Sequence, residues 1–377
     1  MLPRVLDIVC LSHLRWDFVY QRPQHLMARF ASRHRVFFVE EPIPSRGRDT
    51  LGITSRRCGA EVLVPQLQHY DCERDVDEAQ QALVREHLAL RGVVNPMLWY
   101  TTPMALGFTR AINPAAVVYD CMDELSAFLG APPRLAEREL ELFARADLVF
   151  TGGRSLYQAK RRHHREVHAF PSSVDAEHFS RARARRASRP PDVDSLQVGF
   201  MGVVDERFDV ALLDAVADAR PNWRVTIVGP VVKIDPVTLP RRPNVTYVDL
   251  CPYDDLPRHL EEFDVAMIPF VRGPVTRFLS PTKLLEYFAS GLPVVSTSVP
   301  DVVEPFAREG HVFIADDSDA FVAAIEAAAA RDRSALLCRY DDLIAHTSWD
   351  RTWTSMAALI EKVLLEGARH ASVVQMA

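Results

Sequence analysis

Short apolar runs and stretches of helical periodicity alternate along most of the chain. This alternation pauses at a polar interval, residues 181–192, and then starts again. Such a pattern predicts parallel β-sheets covered by helices on both faces. In the first half, strands are expected at 4–11, 35–39, 61–64, 97–100, 116–119, 147–151 and 167–170. The helices expected between them lie near 23–32, 77–91, 103–111, 133–145 and 153–164.

The second half repeats the same order with its own elements. Strands are expected at 196–201, 224–228, 245–248, 264–269, 293–297 and 311–314, and helices near 207–219, 254–262, 281–290 and 317–330. We therefore predict an α/β fold of two Rossmann-like, doubly wound domains, residues 1–175 and 176–348, facing a cleft. Residues 349–377 are expected to form a helix that packs on one of the two domains. It could cross back to the first domain or stay on the second. The basic interval 181–192 is interpreted as a linker or exposed excursion, and binding of its arginines to an anionic membrane surface is the alternative.

Composition narrows the class of protein. The chain has 377 residues, 48% of them hydrophobic and 25% charged, which suits a globular protein of two domains. A net charge of −6 argues against a nucleic-acid partner. The six cysteines include no Cys-x-x-Cys pair, so neither a zinc site nor a redox motif is indicated. Because no signal-peptide shape and no apolar run of about 20 residues is found, we expect a cytoplasmic protein. Peripheral contact with the inner face of the membrane stays open.

A helix with clear boundaries carries the strongest chemical signal. Ser280 suits the N-cap, Pro281 the first helical position and Gly291 the position after the helix. Lys283, in the first turn, opposes the helix dipole, which favours anions there. A lysine beside the free N–H groups of a helix start is well placed to bind phosphate.

Glu286 lies one turn after Lys283 on the same face of this helix. It could accept hydrogen bonds from both hydroxyls of a ribose, so the pair suits a nucleoside diphosphate. The alternative is a surface salt bridge between the two side chains, worth only about 0.2–0.5 kcal/mol.

The same segment resembles a known family. Ser280-Pro-Thr-Lys-Leu-Leu-Glu-Tyr-Phe-Ala-Ser-Gly-Leu-Pro-Val-Val is similar to the donor-binding segment of GT-B-fold glycosyltransferases, P-x-K-x-x-E-x-x-A-x-G-x-P-V-V. The resemblance implies that Lys283 contacts the donor phosphate and Glu286 the ribose, with Ser280, Pro281 and Thr282 at the helix start.

A second resemblance lies near the amino terminus. The segment 11–27 is similar to the amino-terminal segment of bacterial polysaccharide-biosynthesis transferases, families 4 and 1. The resemblance implies transfer of a hexose from a nucleoside-diphosphate sugar to a hydroxyl of a saccharide, a lipid-linked glycan or a small molecule. The nucleotide sugar is then a substrate, and no cofactor is expected.

One position departs from the family pattern. Many retaining members carry a second glutamate eight residues before the ribose glutamate, and here that position is Phe278. The donor sugar and the anomeric outcome are therefore not implied. Gly199 and Gly202, after the first strand of the second half, allow a tight turn and close approach to a ligand. The loop resembles the first loop of the GT-B donor domain, which implies that Arg207, the cation of this loop, meets the pyrophosphate; a plain turn with an exposed arginine is the alternative.

Acidic residues follow the strand at 116–119. Asp123, then Asp120, are the candidates for a general base that deprotonates an acceptor hydroxyl. Capping of the next segment is the alternative role for either residue. His13 is a further candidate base.

Polar groups and an aromatic cluster after the first strand. Trp16, Asp17, Arg22 and Gln24 fit recognition of an acceptor, although a packed tryptophan with polar loop neighbours is as plausible. Asp17 could also serve as the base. The turn at 171–175, Pro-Ser-Ser-Val-Asp, resembles the P-N-G-V-D turn where GT-B chains cross between the domains, and the resemblance implies a hinge there.

The two Asp-x-Asp pairs, at 75–77 and 192–194, do not follow apolar strands, so no catalytic metal is expected. Two other functions stay open: a nucleotide-sugar epimerase of the same fold, and a non-catalytic nucleotide-sugar-binding scaffold for polysaccharide assembly. The sequence leaves the oligomeric state open.

Overall fold

A computed structural model describes residues 5–68, 72–186 and 191–375 of the chain. The strands are β1 (Asp7–Ser12), β2 (Arg35–Glu40), β3 (Ile43–Pro44), β4 (Thr50–Ser55), β5 (Glu61–Leu67), β6 (Met97–Tyr100), β7 (Ala116–Cys121), β8 (Leu148–Thr151), β9 (Val167–Ala169), β10 (Gln197–Met201), β11 (Arg224–Val228), β12 (Val245–Val248), β13 (Val265–Ile268), β14 (Val294–Ser296) and β15 (Val312–Ile314). The α-helices are α1 (Arg22–Ala31), α2 (Glu73–Leu90), α3 (Leu106–Thr109), α4 (Leu135–Arg145), α5 (Arg154–Lys160), α6 (Ala176–Ser180), α7 (Arg183–Arg186), α8 (Val210–Ala219), α9 (Leu256–Leu260), α10 (Thr282–Ala289), α11 (Pro300–Val302), α12 (Ser318–Ala329), α13 (Arg333–Ile344) and α14 (Trp349–Gln375).

Two sheets organise these elements into two α/β domains. The first has the order β3-β5-β2-β1-β6-β7-β8-β9, with β4 paired antiparallel to β5. The second has the order β12-β11-β10-β13-β14-β15 and is parallel throughout. In each sheet the first strand in sequence, β1 or β10, is central, so the strand order reverses at its carboxyl end. That is where open α/β sheets bind their ligands.

The strands are apolar because helices cover both faces of each sheet. All four residues of β6, β8 and β13 are buried, and neighbouring strands such as β10 and β11 are paired in parallel. Two apolar clusters flank the first sheet and one large cluster fills the second domain. The predicted α/β class of two doubly wound domains is confirmed.

The last helix, α14, packs on the first domain. It contacts α1 and β7, and Trp349, Met356 and Ile360 are buried in the cluster on one face of the first sheet. The Trp349 ring stacks on His25 of α1, with centroids 4.6 Å apart. The helix α14 therefore completes the hydrophobic core of the first domain.

The structure corrects the expected linker. Residues 183–186 form α7, and Ala182 is fully buried. Arg183 donates from Nε to the carbonyl of Ala289 at the end of α10, at 2.6 Å, and pairs with Asp341. One basic side chain of the expected linker is therefore anchored on the second domain. Residues 187–190 of the expected linker lie outside the described residues.

No helix in the described part of the chain combines the length and apolar character needed to cross a membrane.

Candidate active site

A cleft between the two domains holds most of the candidate residues. Its cavity has a volume of about 490 Å³ and lies at the carboxyl ends of β1, β7, β10, β11 and β12. The predicted residues that line it are Trp16, Asp17, Arg22, Asp123, Gly202, Arg207, Ser280, Pro281, Thr282, Lys283 and Glu286. His13, Asp120 and Gln24 are not among its lining residues.

The start of α10 forms one wall of this cleft. The helix begins at Thr282 with Pro281 in the cap position, so the expected N-cap at Ser280 is one residue too early. At the other end Gly291 has φ 70°, the left-handed conformation expected there. The Thr282 hydroxyl donates to Ser172 Oγ at 2.9 Å, which ties the helix start to the crossover between the domains.

Lys283 lies in an apolar surrounding at the helix start. Its Nζ lies 4.9 Å from the ring centroid of Phe200 and 4.8 Å from that of Phe270. Burial, helped by the charge of Arg207, lowers the pKa of Lys283 to about 8. Such a position is unfavourable for an isolated cation. An anion bound at the helix start would compensate it.

Glu286 is 8% exposed and lies one turn further along the cleft wall. Burial raises the pKa of Glu286 to about 7, and the charge of Lys283 opposes this rise. The two side chains form no ion pair with each other or with any other described residue. The salt-bridge alternative is therefore excluded, and an acceptor carboxylate faces the cavity.

Two glycines bring the backbone close to Lys283. Gly202, after β10, has φ 139°, and a Cβ there would lie 2.6 Å from Lys283 Cε. Gly229, after β11, has φ 138°, and its Cβ would lie 2.2 Å from the carbonyl oxygen of Gly202. Gly199 has another role than expected, because its Cβ would meet the Phe263 ring at 2.1 Å, so it serves packing inside the domain.

Arg207 faces the cavity but already has a partner. Its guanidinium pairs with Asp205, with Nη2 and Oδ2 2.6 Å apart. Its Cζ also lies 5.1 Å from the Phe128 ring of the first domain, and Lys233 Nζ lies 4.8 Å from the same ring. Two cations of the second domain thus meet one aromatic side chain across the cleft.

The two candidate bases of the first domain, Asp120 and Asp123, lie in different surroundings. Asp120 is fully buried within β7 and forms an ion pair with Arg22, with Nη2 and Oδ1 2.7 Å apart. Arg22 Nη1 also donates to the carbonyl of Phe170. Asp123 instead lines the cavity, and burial raises its pKa while Arg207, Arg22 and Lys233 oppose the rise. Of the two, Asp123 has the position of a group that meets substrate.

The remaining candidates of the first domain divide in the same way. Trp16, 9% exposed, and Asp17 line the cavity. Gln24 is fully buried and donates to the carbonyls of Arg15, Trp16 and Val19, so it shapes the loop between β1 and α1. His13 lies within 3.2 Å of the Thr101 hydroxyl, and burial lowers its pKa to about 4.

Phe278, at the departure from the family pattern, packs against the apolar cluster of the first domain. Among the residues that sequence reasoning missed are Tyr253, which follows β12 and lines the cavity, and Lys233, which contacts the Phe128 ring of the first domain. The rule that ligands meet residues after strand ends, applied to Asp123, could have found Tyr253. Within residues 5–68, 72–186 and 191–375, no group of three His, Cys, Asp or Glu side chains could hold a metal ion.

Comparisons with known proteins agree with this geometry. Residues 196–331 match the family model "Glycosyl transferases group 1". Among solved structures, the sucrose-phosphate synthase of Thermosynechococcus elongatus has a TM-score of 0.71 at 15% identity, covering 96% of this chain and 100% of its own. HepE of Anabaena, solved with UDP and glucose, has a TM-score of 0.66 at 13% identity, covering 95% of this chain and 100% of its own.

The chain has a GT-B fold. The resemblance to GT-B glycosyltransferases of families 4 and 1 is thereby confirmed, and the matched family lies in the second GT-B domain, where α10 is found. A curated relative, the putative teichuronic acid biosynthesis glycosyltransferase TuaH of Bacillus subtilis (strain 168), is 27% identical over 225 residues. That match covers 54% of this chain and 55% of the relative, so the chain spans about half the length of the curated relative that it matches.

Proposed function

We propose that this GT-B protein is a metal-independent glycosyltransferase that moves a hexose from a nucleoside-diphosphate sugar to a hydroxyl of a saccharide or lipid-linked acceptor. One observation carries the proposal. Lys283 and Glu286 lie one turn apart on a cleft wall, and neither side chain forms an ion pair or a hydrogen bond with another described residue. A cation at a helix start and an unpaired carboxylate beyond it match the diphosphate and ribose of such a donor.

The donor phosphates would bind between the start of α10 and the loop that holds Gly202. Lys283 supplies a full positive charge, the first N–H groups of α10 add their dipoles, and Arg207 lies at the edge. Negative charge grows on the diphosphate as the bond to the sugar breaks. Groups fixed around that charge stabilise the transition state, so these cations supply the role that a metal has elsewhere.

The acceptor would bind from the side of the first domain, near Trp16 and Asp17. Asp123 takes the proton from the acceptor hydroxyl. At the same time the oxygen of that hydroxyl forms a bond to the anomeric carbon of the donor sugar, and the nucleoside diphosphate leaves. Burial raises the pKa of Asp123, which makes its carboxylate a stronger base. Asp120 and Arg22 then hold the fold of β7 and α1, and Gln24 holds the loop that carries Trp16.

A contact between the crossover and the helix start also supports this proposal. The hydrogen bond between Ser172 and Thr282 joins the crossover to the phosphate site, so closure of the cleft and donor binding are linked.

We place the boundary between the domains near residue 175 and assign α14 to the first domain. The names of TuaH and of the UDP-bound HepE point to polysaccharide assembly and to UDP-sugars as the first donors to test.

A thermal-shift screen with UDP-, GDP- and dTDP-sugars tests donor binding, because a selective ligand raises the unfolding temperature by mass action. Turnover is then measured with and without a crude glycan acceptor extract. A transferase consumes the donor only with acceptor, whereas an epimerase converts it without one and a scaffold leaves it intact. Absence of any shift across the screen would contradict the proposal.

A further inference from the structure

Tyr253 carries a buried hydroxyl that the proposed chemistry does not use. The residue lies between β12 and α9 and is one of those that line the cleft. The hydroxyl oxygen is shielded from solvent and has no hydrogen-bond partner in the part of the chain that the structure describes. A phenol in this state lowers the stability of the free protein, since it has given up its hydrogen bonds to water without replacement.

The ring of Tyr253 is held in place, so the hydroxyl cannot readily turn to water. His178 stacks on it with centroids 4.4 Å apart and ring planes 9° apart. His178 Nε2 also donates to the Tyr253 carbonyl at 2.9 Å. From the first domain, Tyr20 contacts the same ring with centroids 4.9 Å apart. Two domains thus fix one side chain whose polar end is left without a partner.

The position of Tyr253 in the cleft indicates which part of a ligand it would meet. Tyr253 and Glu286 line the same cavity, and the negative charge of Glu286 adds to the rise in the pKa of Tyr253 that burial causes. Because Glu286 is the residue proposed to hold the ribose, the nucleoside is the part of the donor that Tyr253 would meet. Leu250, on the same connection, also lines the cavity and is 45% exposed. A polar hydroxyl beside an uncovered apolar wall suits a nucleoside.

We propose that the Tyr253 hydroxyl donates a hydrogen bond to an oxygen of the donor's nucleoside, and that Tyr20 of the first domain holds the ring in that position. The inference rests on the proposed function and deepens it. In the free protein the hydroxyl has no hydrogen-bond acceptor among the described residues, and the bound nucleotide would supply one. Donor recognition then involves both domains, because Tyr20 reaches across the cleft.

The test compares Tyr253→Phe with a matched control, Tyr340→Phe. Tyr340 lies in α13, away from the cleft, and its buried hydroxyl donates to the His311 carbonyl at 3.1 Å. Unfolding temperatures of both variants are measured without ligand, and the affinities for UDP and for inorganic pyrophosphate are measured by calorimetry. Pyrophosphate lacks the nucleoside, so it probes the proposed phosphate site at Lys283 alone.

Tyr253→Phe is expected to keep or raise the unfolding temperature and to weaken UDP binding roughly 3- to 10-fold, the range of one hydrogen bond. Its affinity for pyrophosphate stays unchanged. Tyr340→Phe is expected to lower the unfolding temperature and to bind UDP normally. Unchanged UDP affinity in Tyr253→Phe, or a fall of its unfolding temperature like that of the control, would overturn the inference alone. If the wild-type protein binds no nucleoside diphosphate, the proposed function fails with it.

Discussion

The side chain of Lys283 lies against Gly202, at the place where any other residue would put its Cβ. That Cβ would come within 2.6 Å of Lys283 Cε and 2.9 Å of Nζ. The backbone of Gly202 also has φ 139°, which side chains disfavour. The turn after β10 and the first residues of α10 are thus fitted to each other around one amino group.

Gly202→Ala is expected to move the Lys283 amino group and to weaken nucleoside-diphosphate binding at least 10-fold, besides adding backbone strain of about 1–3 kcal/mol. Gly92→Ala is the matched control, since Gly92 has φ 64° and nothing lies within 4 Å of the added carbon. Both variants should lose stability in denaturant unfolding, and only Gly202→Ala should lose affinity in calorimetry. Equal affinities would show that the close approach has no role in binding.

Lys283→Met keeps the length of the side chain and removes its charge. We expect kcat to fall about 10²- to 10³-fold, because a fixed group that stabilises transition-state charge is lost. Stability should not fall, since burial lowers the pKa of Lys283 to about 8 and so disfavours its charged form in the folded protein. The control is Lys362→Met on the exposed side of α14. Full turnover by a folded Lys283→Met protein would exclude the phosphate role.

Glu286 gives a pH-dependent prediction. Burial raises its pKa to about 7 from 4.5, so the folded state holds an extra proton between those values. The stability that the protonated group contributes is complete below pH 4.5 and is lost as pH rises through 7. Glu286→Gln should abolish this dependence in unfolding measured from pH 4.5 to 8.

Donor affinity should change in the opposite direction with pH. The ionised carboxylate is the better acceptor for ribose hydroxyls, so the ratio of UDP dissociation constants, Glu286→Gln over wild type, should rise through pH 7. Using the ratio removes the titration of UDP itself. Pyrophosphate, which lacks a ribose, should show a flat ratio. A flat ratio for UDP as well would contradict the ribose assignment.

Asp123 and Asp120 should differ in kind when each is changed to asparagine. Asp123→Asn is expected to lower kcat about 10²- to 10⁴-fold with donor affinity and stability nearly unchanged, as for the loss of a general base. Asp120→Asn should lower the free energy of unfolding by about 3–5 kcal/mol, because it leaves buried Arg22 without its charge partner. Kinetics and denaturant titration separate the two, and the reverse pattern would exchange their assignments.

The sequence predicted what local periodicity and strand ends determine. Strands such as β6, β11 and β12 lie at the expected residues, and the helix of Lys283 and Glu286 begins and ends within one residue of its expected bounds. The strands β3 and β4 were not predicted, and neither was α13. Their apolar patterns are weak: β4 is held by antiparallel pairing with β5, and α13 by packing on α10.

Rules based on local periodicity and strand ends could not predict which side chains pair when they are far apart in the sequence. Arg22 and Asp120 are 98 residues apart, so nothing local shows that each neutralises the other. Gln24 was expected to contact an acceptor, yet its three carbonyl partners come from the loop just before it. A polar residue after a strand end suits either purpose, and only the direction of its side chain decides.

The helix α14 has a consequence for how the protein is made. Its Trp349, Met356 and Ile360 fill a space that the first domain leaves open. A ribosome releases these residues only after the entire second domain has emerged. The amino-terminal half is therefore incompletely packed until the second domain has been synthesised, and a proteolytic cut before Trp349 would remove part of the half that was synthesised first.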